Sequence, residues 1–251
     1  MTLDRNPRQN HLISVLPDMD FDRLEPSLIL ESLHFGDVLY ESHGQLRNVH
    51  FPITAIISLL YVMADGSSAE IAVVGNEGII GVALFMGGET TPNRAVVQSV
   101  GYAYLLPGVV LKEEFTRAGS MQHVLLRYTQ ALLTQMAQTA VCNRHHSVEQ
   151  QLCRWILLSL DRSGSPELIV TQELIANLLG VRREGVNAAA GKLQDAGVIH
   201  CSRGHITVVD RARLEAQSCE CYLVVKNEYA RLLPDLAPRA AMPRFRDGPI
   251  P

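Results

Sequence analysis

Residues 171–193 read TQELIANLLGVRREGVNAAAGKL, and this stretch decides the fold of the C-terminal half of the chain. Thr171 is a favoured residue at the start of a helix, and Glu173 places a carboxylate in the first turn, where it suits the helix dipole. Gly180 stands where a chain leaves a helix in a left-handed conformation, and a second helix can begin within three residues. Two short helices joined by a tight glycine turn have the geometry that places the second one in a major groove of DNA. The spacing therefore predicts a helix-turn-helix over Thr171–Leu193.

The second helix of this motif carries polar side chains on its predicted outer face. Arginine can bond guanine through a two-pronged fork, glutamate can accept a hydrogen bond from cytosine, and asparagine can pair with adenine. The next segment predicts a β-hairpin wing, because the apolar runs 198–201 and 205–209 flank Ser202-Arg203-Gly204. The tip of such a wing can contact phosphate. We expect DNA contacts from Thr171, Gln172, Arg182, Arg183, Glu184, Asn187, Lys192, Arg203 and His205.

The N-terminal half has the periodicity of strands. Short apolar and β-branched runs between Phe35 and Leu106 end at turn sequences, of which Ala64-Asp65-Gly66-Ser67 is a hairpin signal. Strands at this spacing with glycine-rich turns predict a small antiparallel barrel or sandwich.

A long helix is predicted between the two halves. From about Gly119 to Asn143 the chain has no proline, and residues recur at coiled-coil spacing. The pattern suits either a core helix or a dimer helix, and it does not separate the two. The dimer seam that we expect consists of Met121, Leu125, Tyr128, Leu132, Gln135 and Thr139. A second apolar row on the same helix consists of Val124, Leu126, Leu133, Met136 and Ala140.

Composition and charge limit the partners. The 251 residues carry a net charge of −4, and residues 165–215 hold six basic and six acidic side chains, so DNA affinity must depend on where the charges lie. No apolar run approaches membrane-spanning length and no signal peptide is recognised. The five cysteines form no disulfide-like framework, which suits a reducing compartment. We expect a cytoplasmic protein with no membrane partner.

In this order of elements the chain resembles the Crp/Fnr family of bacterial transcription regulators. The likeness covers about residues 25–225, and its most specific part is Thr171-Gln172-Glu173 followed by the run Leu179–Val186. The resemblance implies an α+β fold with an N-terminal antiparallel β-roll of the cyclic-nucleotide-binding, jelly-roll type. The implied domains are N-terminal helices and sensor β-roll at 1–118, a dimerisation helix at 119–145, a winged helix-turn-helix at 146–225, and a helix end with a proline-rich, disordered tail at 226–251.

The resemblance also implies partners and roles. It predicts a homodimer that binds double-stranded DNA at a two-fold symmetric site and that contacts RNA polymerase. It makes Arg183 and Glu184 base readers and Thr171 and Gln172 phosphate contacts. The cyclic-AMP-responsive branch has a further arginine where this chain has Ala188, so the operator sequence is not predicted.

Residues 78–85 and 93–97 are similar to the family's phosphate-binding cassette, but they differ from the members that bind cyclic AMP at two positions. Members that bind cyclic AMP have glutamate where this chain has Gly81 and arginine where it has Asn93. Arg94 is one place away, and one place along a strand reverses the face of a side chain. We therefore expect no cyclic AMP binding and leave the signal open. The candidate ligand pocket consists of Gly81, Val82, Ala83, Leu84, Asn93, Arg94 and Ala95.

Metal and catalytic chemistry are not predicted. Two sets of residues are weighed as metal ligands: Cys142, His145, His146 and Cys153 in one, and Cys219 and Cys221 in the other. Neither set has the spacing of a four-ligand zinc site, so no metal and no cofactor is predicted, with haem and metal left open. No serine elbow, HExxH or phosphate loop suggests an enzyme. The alternative to a DNA-binding regulator is a ligand-binding or signalling module whose C-terminal half contacts protein.

Overall fold

The computed structural model describes residues 6–163, 165–202 and 204–233. Arg203, predicted as a wing contact, and the proline-rich stretch 234–251 lie outside the described residues. Two short helices open the chain, α1 (His11–Ser14) and α2 (Asp18–Leu24).

The N-terminal half is built from seven antiparallel strands. They are β1 (Ile29–Leu33), β2 (Val38–Tyr40), β3 (Asn48–Pro52), β4 (Ile56–Val62), β5 (Ser68–Val74), β6 (Arg94–Ser99) and β7 (Gly101–Pro107). One sheet has the order β1-β7-β3 and the other has the order β2-β6-β4-β5. Alternating apolar side chains such as Phe51, Val97 and Leu106 are buried in the core of this half. The predicted α+β fold with an N-terminal antiparallel β-roll is confirmed.

The hairpin between β4 and β5 has the predicted turn. Gly66 has a φ of 84°, a left-handed conformation that costs glycine little. Asp65 Oδ1 accepts hydrogen bonds from the backbone N–H and the hydroxyl of Ser67, at 2.9 and 2.6 Å. These bonds close the loop and fix the register in which Val62 pairs with Ser68.

Two helices follow the roll, α3 (Gly108–Thr116) and the long α4 (Ser120–His145). One face of α4 lies on the roll, where the Tyr128 hydroxyl donates to the Ile79 carbonyl at 3.3 Å and Gln135 Nε2 donates to the Val73 carbonyl at 3.0 Å. The predicted dimer seam is wrong, because its residues are buried within the chain and cannot face a partner: Met121, Leu125, Tyr128, Leu132, Gln135 and Thr139. A helix packed on a sheet needs the same apolar spacing as a coiled coil, so the sequence pattern did not separate the two cases.

The C-terminal half is a winged helix-turn-helix. Its elements are α5 (Val148–Ser163), β8 (Glu167–Ile169), α6 (Gln172–Leu179), α7 (Arg183–Asp195), β9 (Ile199–Ser202), β10 (His205–Val208) and α8 (Arg211–Gln217). The wing is an antiparallel sheet of three strands in the order β8-β10-β9, one strand more than the predicted hairpin. Its apolar core is distinct from that of the roll and contains Trp155, Ile175 and Leu193.

The last helix, α9 (Cys221–Leu232), returns from the winged domain to the roll. It packs along α4, where the ring of Tyr229 meets that of Tyr128 edge-on at 6.3 Å. Leu232 and Leu233 are buried in the core of the N-terminal half. The domain boundary predicted after residue 225 therefore falls inside a helix that joins the two halves. Within the three described ranges, no helix is long and apolar enough to cross a membrane.

Candidate nucleic-acid interface

The local structure of the helix-turn-helix follows from three residues. Thr171 Oγ1 accepts a hydrogen bond from the Leu174 N–H at 3.2 Å and so caps α6. Gly180 ends α6 with a φ of 66°, and its own N–H turns back to the Ala176 and Asn177 carbonyls. Arg182 then adopts an extended conformation, and α7 begins at Arg183. The predicted helix-turn-helix is confirmed.

The second helix has one buried face and one open face. Val186, Ala189 and Leu193 are buried against the rest of the winged domain. The predicted base readers lie on the opposite side and are exposed: Arg182, Arg183, Glu184 and Asn187. Their side chains make no hydrogen bond or ion pair with any part of the chain that the structure describes. Charged side chains on a surface helix are often merely solvated, but here four unpaired donors and acceptors share the start of one helix.

A groove runs between the helix-turn-helix and the wing. Thr171, Gln172 and Arg183 line one side of it, and Ser202 and His205 line the other. The N-terminus of α6 opens on this groove with backbone N–H groups that have no partner within the helix. The helix dipole and the Arg183 charge favour an anion such as a DNA phosphate at this position, and the Glu173 side chain, which also lines the groove, opposes it.

Two predicted DNA contacts already have acidic partners. Lys192 Nζ lies 3.2 Å from Glu149 Oε2, and His205 Nδ1 lies 2.8 Å from Glu167 Oε1. Both pairs are exposed enough for the partners to separate at little cost, since surface ion pairs contribute about 0–1 kcal/mol. Among the described residues of this face, Arg182 and Arg183 are therefore the cations that can bind without first losing a partner.

The backbone is crowded at Gly81, the first residue of the candidate ligand pocket. Gly81 has a φ of 103° and precedes a 3₁₀ turn at Val82–Leu84. A side chain at this position would place its Cβ 3.0 Å from Val49 Cγ1 and 3.3 Å from the Asn48 carbonyl oxygen. A larger residue here would be strained by its backbone and crowded by β3.

The other end of the candidate pocket carries a neutral pair. The Tyr40 hydroxyl donates to Asn93 Oδ1 at 2.6 Å, and Asn93 Nδ2 donates to Thr91 Oγ1 at 2.8 Å. Arg94 opens β6 and pairs with Glu41 at 3.1 Å, while Ala95 is buried in the core. Because side chains alternate along a strand, Arg94 and Ala95 point to opposite faces. The predicted pocket residues thus fall on two elements, the turn at Gly81–Leu84 beside β3 and the chain at the start of β6, and the cationic one is paired with an acid.

A polar network joins the two halves and was not predicted. The Ser58 hydroxyl donates to Glu70 Oε2 and lies 3.0 Å from Gln98 Oε1. Gln98 Nε2 donates across the junction to the Ser159 hydroxyl on α5 at 3.3 Å. Burial raises the pKa of Glu70 to about 7, against the opposing effect of the Ser58 hydrogen bond and of the Arg154 charge. The sequence signal for this network was a polar residue at a buried position on each of β4, β5 and β6, namely Ser58, Glu70 and Gln98. A buried polar residue needs a hydrogen-bond partner.

The cysteines and histidines that meet in the structure are not the two sets considered as metal ligands from the sequence. Cys142, His146, Cys219 and Cys221 converge, with all four ligand atoms within 4.8 Å of one another. Of the remaining two residues in the predicted sets, His145 is exposed and Cys153 is buried in the core of the winged domain. The sequence offered one set of four residues and one pair, and the packing of α9 on α4 brings Cys142 and His146 together with that pair.

Known proteins share both the helix-turn-helix domain and the overall fold of this chain. Residues 150–217 match the Crp-like helix-turn-helix domain. No curated protein sequence matched the chain.

Solved structures share the fold of both halves. A protein described as a Crp/Fnr-family transcriptional regulator from Eubacterium rectale matches with a TM-score of 0.64 and 17% identity, over 82% of this chain and 96% of that one. FixK2 from Bradyrhizobium japonicum matches with a TM-score of 0.64 and 16% identity, over 76% and 98% of the two chains. The c-di-GMP-responsive global regulator CLP from Xanthomonas campestris matches with a TM-score of 0.60 and 14% identity, over 76% and 99%. Residues 150–217 therefore form a Crp-like helix-turn-helix domain, and the fold of both halves is that of solved structures described as Crp/Fnr regulators.

Proposed function

We propose that the protein is a homodimeric, sequence-specific DNA-binding regulator of transcription that acts in the cytoplasm. The observation that carries the proposal is the group of unpaired polar side chains at the start of α7, on a domain that matches the Crp-like helix-turn-helix. Arg183 and Glu184 are proposed to read base edges in the major groove. The groove beside them is proposed to hold a phosphate at the N-terminus of α6.

The dimer is proposed to form through the exposed face of α4. Leu126 is 52% exposed and Leu133 is 58% exposed, seven residues further along the helix. Ala140 and Val141 continue the same exposed row one heptad later. Large apolar side chains repeated at this spacing on a helix surface suit a partner helix. A dimer also doubles the phosphate contacts of the winged domain, whose residues 165–215 have no net charge.

The β-roll is proposed to sense a signal other than cyclic AMP. Support comes from the crowding around Gly81, where an added Cβ would lie 3.0 Å from Val49 Cγ1, and from the neutral pair of Asn93 with Tyr40. A signal bound by the roll can change DNA affinity only if it favours one arrangement of the two halves over another. RNA polymerase is the further partner that the family implies.

Selection of bound sequences from random duplex DNA tests the proposed function, run with and without a metabolite extract. We expect a two-fold symmetric sequence, and affinity that falls steeply with salt as phosphate-bound counterions are released. An unselective pool, with binding that does not depend on salt, would overturn the proposal. That result would favour the second candidate, a signalling module that contacts protein, for which the zero net charge of residues 165–215 is the supporting observation.

A further inference from the structure

Four metal-binding side chains meet where the winged domain joins α4 and α9. Cys142 lies in the last turns of α4, and His146 is the residue that ends the helix. Cys219 immediately precedes Glu220, the N-cap of α9, and Cys221 is its first residue. Cys142 Sγ lies 3.5 Å from Cys219 Sγ, and Cys221 Sγ lies 3.6 Å from His146 Nδ1.

We propose that Cys142, His146, Cys219 and Cys221 bind one Zn²⁺ ion in a tetrahedral site. Bonds of about 2.3 Å from zinc to sulfur and about 2.0 Å to nitrogen put the ligand atoms of such a site about 3.5–3.8 Å apart. The Sγ–Sγ separation of 3.5 Å and the Sγ–Nδ1 separation of 3.6 Å are close to these tetrahedron edges, and no two of the four ligand atoms are more than 4.8 Å apart. An iron–sulfur cluster stands between its thiolates and needs them farther apart than a single ion does. Three sulfur ligands and one imidazole in a tetrahedron favour zinc among single ions.

His146 is oriented for this role by its neighbours. Its Nε2 lies 3.3 Å from Glu220 Oε1, which leaves Nδ1 facing the sulfur atoms. A carboxylate on the far nitrogen of a zinc-bound histidine fixes the ring and makes the ligating nitrogen more basic. The backbone is held as well, since the His146 N–H donates to the Cys142 carbonyl at 3.0 Å and Gln151 Nε2 donates to the His146 carbonyl at 2.9 Å.

A buried arginine provides a positive charge that balances the negative charge of the proposed site. Three thiolates and one zinc ion carry a net charge of −1. Arg154 on α5 is 4% exposed, and among the described residues no carboxylate lies within 4.0 Å of it and its Nε has no hydrogen-bond partner. Its Nη1 donates to Thr139 Oγ1 at 3.2 Å, on α4 three residues before Cys142. A buried cation needs an anion nearby, and the zinc–thiolate group supplies one in addition to the Glu70 carboxyl on β5.

The proposed ion ties together the two ends of the winged domain. The chain enters that domain just after His146 and leaves it just before Cys219. Binding zinc closes this long loop at a single point and fixes α9 against the end of α4. Because metal clips that close long loops restrict the unfolded chain most, we expect the site to stabilise the fold. This role does not depend on DNA binding.

Metal analysis of the full-length protein, expressed with zinc and dialysed, tests the proposal. We expect about one zinc per chain in the wild type. The double variant Cys219→Ser, Cys221→Ser should hold less than a tenth of that amount. The matched controls are Cys153→Ser and Cys201→Ser, which change the two cysteines outside the cluster and should keep the full amount. Absence of zinc from the wild type, iron in its place, or zinc retained by the double variant would overturn the proposal.

A measurement on the wild type keeps the test valid if the double variant does not fold. Replacement of the zinc by Co²⁺ should give the strong visible absorption of a tetrahedral cobalt site and a near-ultraviolet band from thiolate to cobalt. The weak spectrum of octahedral, oxygen-bound cobalt would contradict the assignment. Protein purified under reducing conditions that lacks metal, has lost the mass of two hydrogens and yields a peptide linking Cys142 to Cys219 would hold a disulfide there and would also overturn the proposal.

Discussion

Glu70 is a carboxyl group buried at the junction of the two halves. It lies on β5, accepts a hydrogen bond from Ser58 on β4, and is close enough to Arg154 and Arg162 on α5 for their charges to favour its ionised form. Burial opposes them and is the larger effect, so its pKa rises from the ordinary value of 4.5 to about 7. At neutral pH this residue is therefore poised between its neutral and its charged form.

Replacement Glu70→Gln should change how stability depends on pH. Between about pH 4.5 and 7 the unfolded carboxyl has lost its proton while the folded one keeps it, so the contribution of Glu70 to the free energy of unfolding falls as pH rises. Relative to the wild type, the variant should gain on the order of 3 kcal/mol between pH 4 and pH 8. Urea unfolding at both pH values measures the difference. Glu113→Gln, at an exposed carboxyl on α3, is the control, and an equal pH dependence of Glu70→Gln and wild type would refute the prediction.

The helix-turn-helix is the element that could be predicted best from the sequence. The cap at Thr171 and the left-handed turn at Gly180 are local devices, so the residues that form them are neighbours in the sequence. Helix α4 was predicted as an element, but the face that packs on the roll was assigned to a partner. Its two apolar rows have the same spacing, but one is buried on the roll and the other is exposed or half-buried. Which row is buried depends on strands more than forty residues earlier in the chain, such as β5.

Two glycines in this motif should respond in opposite ways to alanine. Gly180→Ala should lower the free energy of unfolding by about 1 kcal/mol, because its φ of 66° is unfavourable for a residue with a Cβ. Gly191→Ala should raise it by about 0.5–1 kcal/mol, because Gly191 lies inside α7 and a Cβ there meets no atom within 4 Å. Thermal and urea unfolding of both variants check the signs. Equal effects of the two substitutions would contradict the assigned turn.

At the scale of the whole molecule, the two halves are joined by long-range contacts that the sequence could not reveal. Arg162 of α5 donates to Glu77 at 2.7 Å and to Gln135 of α4 at 3.2 Å, and the Tyr229 hydroxyl of α9 lies 3.1 Å from the same Gln135 oxygen. The convergence of Cys142 with Cys219 has the same origin, because it requires α9 to return to α4. Each of these residues has an ordinary sequence context, and only tertiary packing gives it a partner.

The oligomeric state is also a property of the whole molecule, and substitutions on the exposed face of α4 test whether that face is the dimer interface. Leu126→Glu with Leu133→Glu should convert a dimer into a monomer, because four carboxylates would have to be buried between two helices. Sedimentation equilibrium or light scattering after gel filtration measures the mass. Leu223→Glu, at a 52% exposed leucine on α9, is the matched control and should leave the dimer intact. A monomeric wild type, or a double variant that remains dimeric, would contradict this interface.

The central claim, that α7 reads DNA through Arg183, is tested most directly by equilibrium binding of Arg183→Ala to the selected operator. Arg213→Ala, at an exposed arginine on α8 outside the groove, is the control. We predict that Arg183→Ala loses about 1–3 kcal/mol of binding free energy and tolerates every base at one position of each half-site. Arg213→Ala should bind as the wild type does. Equal affinity and equal base preference of Arg183→Ala and wild type would contradict the account.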